Sequence, residues 1–245
     1  MVLLLDPEYR DHFLHQFQVF ILGLLIIDKL YTETWVKDFE KKNKSKIEDV
    51  WLACSTYHDY NFPVQKWDDW MRRFLVQNFH VSKTSSKRHL NHNDIGKEIM
   101  RLNLGDIVVR DEFVTKMQRV SAGIGCDYND NFQRFVLQRV AIDKNHAVLG
   151  AFTFLEKFLN CSKLSDLAIN AAAGSIFLHD EPNWQCFRGD IQGLRACSYG
   201  KNSLSIEEKD LCKSPILTHL TLGSMPLAFL LTYCDVAQEW GRKGA

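Results

Sequence analysis

The stretch LACSTYHDYNF, residues 52–62, ends an apolar helical run on an adjacent His58-Asp59 pair. Neighbouring polar groups at a helix end can serve as a cap. They can also be two ligands of one metal ion. The choice depends on whether other His and Asp residues fall where they would complete a site. Upstream of the pair, Ile47, Val50, Trp51, Cys54 and Tyr57 recur at steps of three and four, the period of a one-sided helix. Phe13, Phe17, Phe20, Leu24 and Ile27 give 12–30 the same rhythm. Downstream, Asn61 and Pro63 open a further helix that carries Trp67, Trp70, Phe74 and Leu75. The spacing predicts more helices at about 94–104, 107–120, 129–142, 146–160 and 163–179, and a last one at about 225–241 opened by Pro226. Gly105 reads as a helix stop.

Strand signals are sparse. Only DIVVR (106–110) and the region 184–200 allow a short hairpin. The stretch 181–215, with Gly189, Gly193 and Gly200, reads as a long irregular insertion, and the polar, basic 81–93 as a surface connection. There is no internal repeat and no low-complexity tract. Helices with one apolar stripe must bury it on each other, so the expected fold is an all-α bundle, one domain over 1–245.

Composition narrows the function classes. The chain has 245 residues, ample for a buried core. Apolar residues make up 46% and charged residues 24%, and 30 Lys+Arg balance 30 Asp+Glu. No global basic excess points to nucleic acid or to an anionic membrane. The seven cysteines form no CxxC, which speaks against a zinc ribbon and for reduced thiols. The longest apolar run, VFILGLLII (19–27), has nine residues, whereas a membrane span needs about 20. It follows Asp11, His12 and His15 without a cleavage-site pattern, so neither a signal peptide nor a span is expected. The expected location is the cytoplasm.

Several of the nine histidines stand inside apolar helical stretches. His15 precedes the 19–27 run, His146 opens NHAVLGAFTFLEKF, and His179 closes AAAGSIFLHD. Asp235 interrupts PLAFLLTYCDVAQEW. A buried Asp or His costs several kcal/mol unless it is paired. A metal ion at a shared centre satisfies several at once, and bundles build such sites from inward-facing side chains on separate helices. Imidazole and carboxylate together suit Fe, Mn, Zn, Co or Ni, and less well Mg, so one or two divalent ions are the expected cofactor.

In their order along the chain, His15, His58-Asp59 and Asp235 resemble the HD superfamily of metal-dependent phosphohydrolases. HQFQV resembles the first-His helix of that family, LACSTYHDYNFP its HD segment, and LLTYCDVAQEWGR its last motif, an apolar helix with a single Asp. NHAVLGA and SIFLHD resemble the two added histidines of the binuclear H–HD–H–H–D branch. The resemblance spans 12–242 through short motifs. It implies that His15, His58, Asp59 and Asp235 bind one metal, and that Asp59 bridges to a second held by His146 and His179. It implies hydrolysis of a phosphomonoester or phosphodiester, a nucleotide among the candidates, by a hydroxide made at the metals, with Asp59 at the centre of catalysis.

Each residue also has a plainer reading. His58-Asp59 could cap a helix, and His146 could do so in the first turn of its own. His12 lies three residues before His15 on much the same face. His179-Asp180 forms a second HD pair. HNDIGKE (92–98) has Asn93 between His92 and Asp94 and fits a helix N-cap, though His92 could give a proton to a leaving group. Lys66 and Arg73, seven residues apart on one helix face, are candidates for binding phosphate, with Arg72, Lys87, Arg88 and Arg242 also available. Surface solvation is the common role of such residues. Two rivals to the hydrolase stand: a non-catalytic nucleotide- or partner-binding module, and a binuclear-iron oxygenase.

Overall fold

A computed structural model describes residues 12–30, 34–68, 70, 111–141, 144–159, 163–189, 221 and 223–243. Among the described residues all regular structure is helical. The helices are α1 (His12–Leu30), α2 (Thr34–Asn43), α3 (Ile47–Tyr57), α4 (Asp111–Ile124), α5 (Asp130–Ala141), α6 (His146–Phe158), α7 (Asp166–Leu178), α8 (Glu181–Arg188) and α9 (Pro226–Lys243). Residues 62–68 add a further helical stretch after the HD pair. The all-α expectation holds. No helix among the described residues is long and apolar enough to cross a membrane.

Two helices depart from the sequence reading. α2 was not expected, and α8 occupies the start of the supposed irregular insertion. Pro182 stands in the first turn of α8, and Gly189, at φ 76°, ends it in the left-handed conformation that glycine adopts without strain. Residues 184–188 are thus helical and not part of a hairpin. The remainder of the insertion (190–215), DIVVR, the 81–93 connection and the 94–104 helix lie outside the described residues.

The bundle is organised around α7. Ala168, Ile169, Ala172, Ala173, Ile176, Phe177 and Leu178 are all buried, so this helix is apolar nearly all round and lies inside the protein. It packs on α3, α4, α6 and α9, while α1 packs on α3 and α9. Its closest neighbour is α4. A Cβ on Gly123 would stand 1.8 Å from the Asn170 carbonyl oxygen, and one on Gly174 2.6 Å from the Gly123 carbonyl carbon. Only glycine at both positions lets the two backbones meet. On another side Phe132, Phe135, Phe177 and Phe187 form an aromatic cluster that joins α5, α7 and α8. Each buried Phe contributes about 1.5–3 kcal/mol by leaving water. This packing fixes the C-terminal end of α7, where His179 stands.

Candidate metal centre

Five helices deliver one inward polar residue or pair each. His15 lies in the second turn of α1, His58 is the C-cap of α3 with Asp59 next to it, and His146 is the first residue of α6. His179 is the C-cap of α7, and Asp235 sits within α9. His15, His58, Asp59, His146 and His179 are buried. The Asp235 side chain is 24% exposed, against 9% for Asp59, so the cluster reaches solvent beside Asp235.

Two groups of possible metal donors result, and Asp59 belongs to both: His15, His58, Asp59 and Asp235, then Asp59, His146 and His179. The Asp59 carboxylate divides its oxygens between them. Oδ2 lies 3.6 Å from His15 Nε2 and 3.5 Å from His58 Nε2. Oδ1 lies 3.2 Å from His146 Nε2 and 3.4 Å from His179 Nε2. Asp235 Oδ1 is 2.8 Å from His15 Nε2 and 3.9 Å from His58 Nε2. His146 Nε2 and His179 Nε2 are 3.1 Å apart.

The far side of three rings is tied down. His58 Nδ1 donates to the Ser55 carbonyl at 2.6 Å and His179 Nδ1 to the Ile176 carbonyl at 2.6 Å. His146 Nδ1 donates to Gln65 Oε1 at 2.7 Å. A proton held on Nδ1 turns Nε2 toward the cluster, as metal-binding histidines require. A polar clamp joins the helix ends that carry the second group. Asn145 caps α6 by accepting from the Val148 amide and donates to Asp180 Oδ2 at 2.7 Å. Asn183 Nδ2 donates to Asn145 Oδ1 and to the Phe177 carbonyl.

The electrostatics of the two groups differ. Burial lowers the His58 pKa to about 4, against the opposing pull of Asp59, so its ring is neutral. Its Nε2 is buried without a hydrogen-bond partner and faces two carboxylate oxygens. A lone pair aimed at acceptors in a water-poor site is unfavourable. A cation between them resolves that conflict, and the N/O donor set suits a first-row divalent ion. The residues therefore fit the metal. Burial also disfavours the charged form of His179, but the hydrogen bond and charge of Asp59 outweigh it and raise its pKa to about 9. Asp59 resists desolvation through His58, His146 and His179, and its pKa falls well below the usual carboxylate value. Asp235 resists it through its hydrogen bond to His15 and is likewise lowered.

All six expected metal ligands thus converge. The cap of α6 is Asn145, which leaves His146 free for the cluster. Asp180 of the second HD pair is held by Asn145 and belongs to neither donor group. Lys66 reaches the site only through Phe62: its Nζ lies 5.0 Å over the Phe62 ring, and that ring meets His146 edge-on at 5.5 Å. His92 and Arg73, with Arg72, Lys87 and Arg88, lie outside the described residues, as do the side chains of His12 and Arg242. Gln65, Asn145 and Asn183 were not expected. Asn145 directly before an apolar helix is a readable N-cap signal, whereas Gln65 carries no such signal. No protein-family model matches the chain, and no curated protein or solved structure shows significant similarity to it.

Proposed function

We propose that the protein is a metal-dependent phosphohydrolase of the HD type that cleaves a phosphomonoester or phosphodiester, with nucleotides among its candidate substrates. The observation that carries the reading is the division of one buried carboxylate, Asp59, between two histidine groups. His15, His58, Asp59 and Asp235 would hold one divalent cation, and Asp59, His146 and His179 a second. Bound there, the cations would supply Lewis-acid charge for the phosphoryl oxygens and a lowered pKa for an attacking water. The chain's own part is positional. Asp59 binds the two groups at a fixed separation, and the carbonyls of Ser55 and Ile176 orient His58 and His179. The buried apolar residues of α3, α6 and α7 around the cluster lower the local dielectric, which strengthens electrostatic interactions inside. Lys66 holds a cation over the Phe62 ring, which packs on His146, and would attract an anionic ester there.

The test is phosphate release from a panel of phosphomonoesters, phosphodiesters and nucleotides by Mn²⁺-loaded protein. Release is expected from the wild type and not from Asp59→Ala. Activity that survives this substitution refutes the assignment. Oxygen consumption by the ferrous protein, without phosphate release, would move the reading to the oxygenase. Metal uptake without either reaction would move it to the binding module.

A further inference from the structure

We infer that Gln65 is the positioning residue of the second ligand group and decides whether the protein holds one cation or two, an inference that rests on the metal-binding reading above. The argument begins with where each histidine stands on its helix. His58 and His179 are C-caps, and the last turn of a helix exposes carbonyl oxygens. Each ring therefore finds an acceptor three residues back in its own chain, Ser55 or Ile176. His146 is the first residue of α6, and the first turn of a helix exposes N–H groups instead. Its own helix offers the ring no acceptor.

Gln65 fills that gap from another element. It lies six residues after Asp59, in the helical stretch 62–68. Its Oε1 accepts from both the His146 Nδ1–H, at 2.7 Å, and the His146 backbone N–H, at 3.1 Å. The backbone donor identifies the facing Gln65 atom as oxygen. An oxygen there holds the ring proton on Nδ1 and makes Nε2 the atom a cation would take. Nε2 faces the ground shared with Asp59 Oδ1 and His179 Nε2. Phe62, in the same helical stretch, packs edge-on against the ring and blocks its rotation. Without an acceptor at position 65 the proton can move to Nε2, where it competes with a cation.

Two substitutions test this. Gln65→Leu keeps the size and removes the acceptor, and Gln65→Glu keeps the acceptor. The measurement is a Co²⁺ titration of the metal-free protein, read by visible absorption and by metal content. Gln65→Leu is expected to fill one site as the wild type does and to weaken the other by about 10–100-fold, the usual effect of losing such an outer partner. Gln65→Glu is expected to restore two-site binding at wild-type affinity or better. Imidazole ¹⁵N chemical shifts of the metal-free proteins give a readout independent of metal, with the Nδ1–H form of His146 lost in Gln65→Leu and kept in Gln65→Glu. Unchanged two-site binding by a folded Gln65→Leu protein overturns the inference, as does a Gln65→Glu protein that behaves like Gln65→Leu. A wild type that binds two cations but hydrolyses no ester leaves the role of Gln65 standing and removes only the proposed reaction. A wild type that takes up no cation removes both.

Discussion

His179 gives the sharpest quantitative test of the second ligand group. Its Nδ1 proton is committed to the Ile176 carbonyl, so a second proton must sit on Nε2, directed at Asp59 Oδ1 and His146 Nε2. With its pKa raised to about 9 by Asp59, His179 carries that proton at neutral pH. A cation entering the second group must displace it. At pH 7.5 the gap of about 1.5 pH units corresponds to roughly a 30-fold loss of apparent affinity, or about 2 kcal/mol. Affinity at this site should therefore rise about tenfold per pH unit and level off near pH 9. His58 behaves oppositely. Its pKa of about 4 leaves Nε2 bare at pH 7.5, so its ring releases no proton when the first group fills. Isothermal titration with Mn²⁺ in two buffers of different ionisation enthalpy counts the protons. Filling both groups is expected to release at least about one proton, from His179 and not from His58. The metal-free protein follows the same sign. A raised folded-state pKa stabilises fully below the unfolded value of 6.5 and loses that stabilisation as pH climbs through 9, about 3 kcal/mol in order of magnitude. A filling that releases no proton, or an affinity of the second group that is flat from pH 6.5 to 9, refutes the reasoning.

Asp59→Asn keeps the shape of the side chain but removes the charge that both groups share, so metal content measured by mass spectrometry should fall from two ions per chain toward none. Asp180→Ala removes the acceptor of Asn145 Nδ2 and should cost about 1–3 kcal/mol in urea unfolding. It should also weaken the second site more than the first, because the clamp joins only the helices of His146 and His179. Gly174→Ala places a methyl group 2.6 Å from the backbone of Gly123. Separation of α4 and α7 should cost at least about 1–3 kcal/mol, read as a lower melting temperature. An unchanged melting temperature would show that the two helices are not held in this contact.

The residues of the cluster were legible in the sequence because each breaks a local rule. An Asp within PLAFLLTYCDVAQEW, or a His at the mouth of an apolar helix, is costly unless something pairs it. The helices that carry them were legible for the same reason, since their apolar period is strong. α2 was missed because only Trp35, Val36 and Phe39 are large and apolar in a ten-residue helix otherwise rich in charge. α8 was missed because the downstream glycines coloured the whole stretch, although Pro182 and Gly189 are ordinary start and stop signals. Gln65 could not be read at all. A glutamine in a helix breaks no rule, and its role exists only once α6 begins with His146 beside it.

That contrast follows from how helices supply hydrogen bonds. A histidine at the C-terminal end of a helix is oriented by its own backbone, so ligand and support come from one segment, as with Ser55 and His58 or Ile176 and His179. A histidine at an N-terminal end must borrow its support, and Gln65 supplies it to His146 across 81 residues of chain. The first ligand group places His58 and Asp59 on consecutive residues of one helix end, and the second joins the opposite ends of α6 and α7. Both groups span distant parts of the chain, His15 to Asp235 in the first and Gln65 to His146 in the second. Because the ring of His146 borrows its support from another element, partial unfolding that displaces residues 62–68 should release the second group's cation first. Metal content followed through a urea titration tests this directly, with one ion expected to leave before the main unfolding transition and the other to leave with it. Loss of both ions in a single step would show that the shared Asp59 carboxylate couples the groups more strongly than their separate supports divide them.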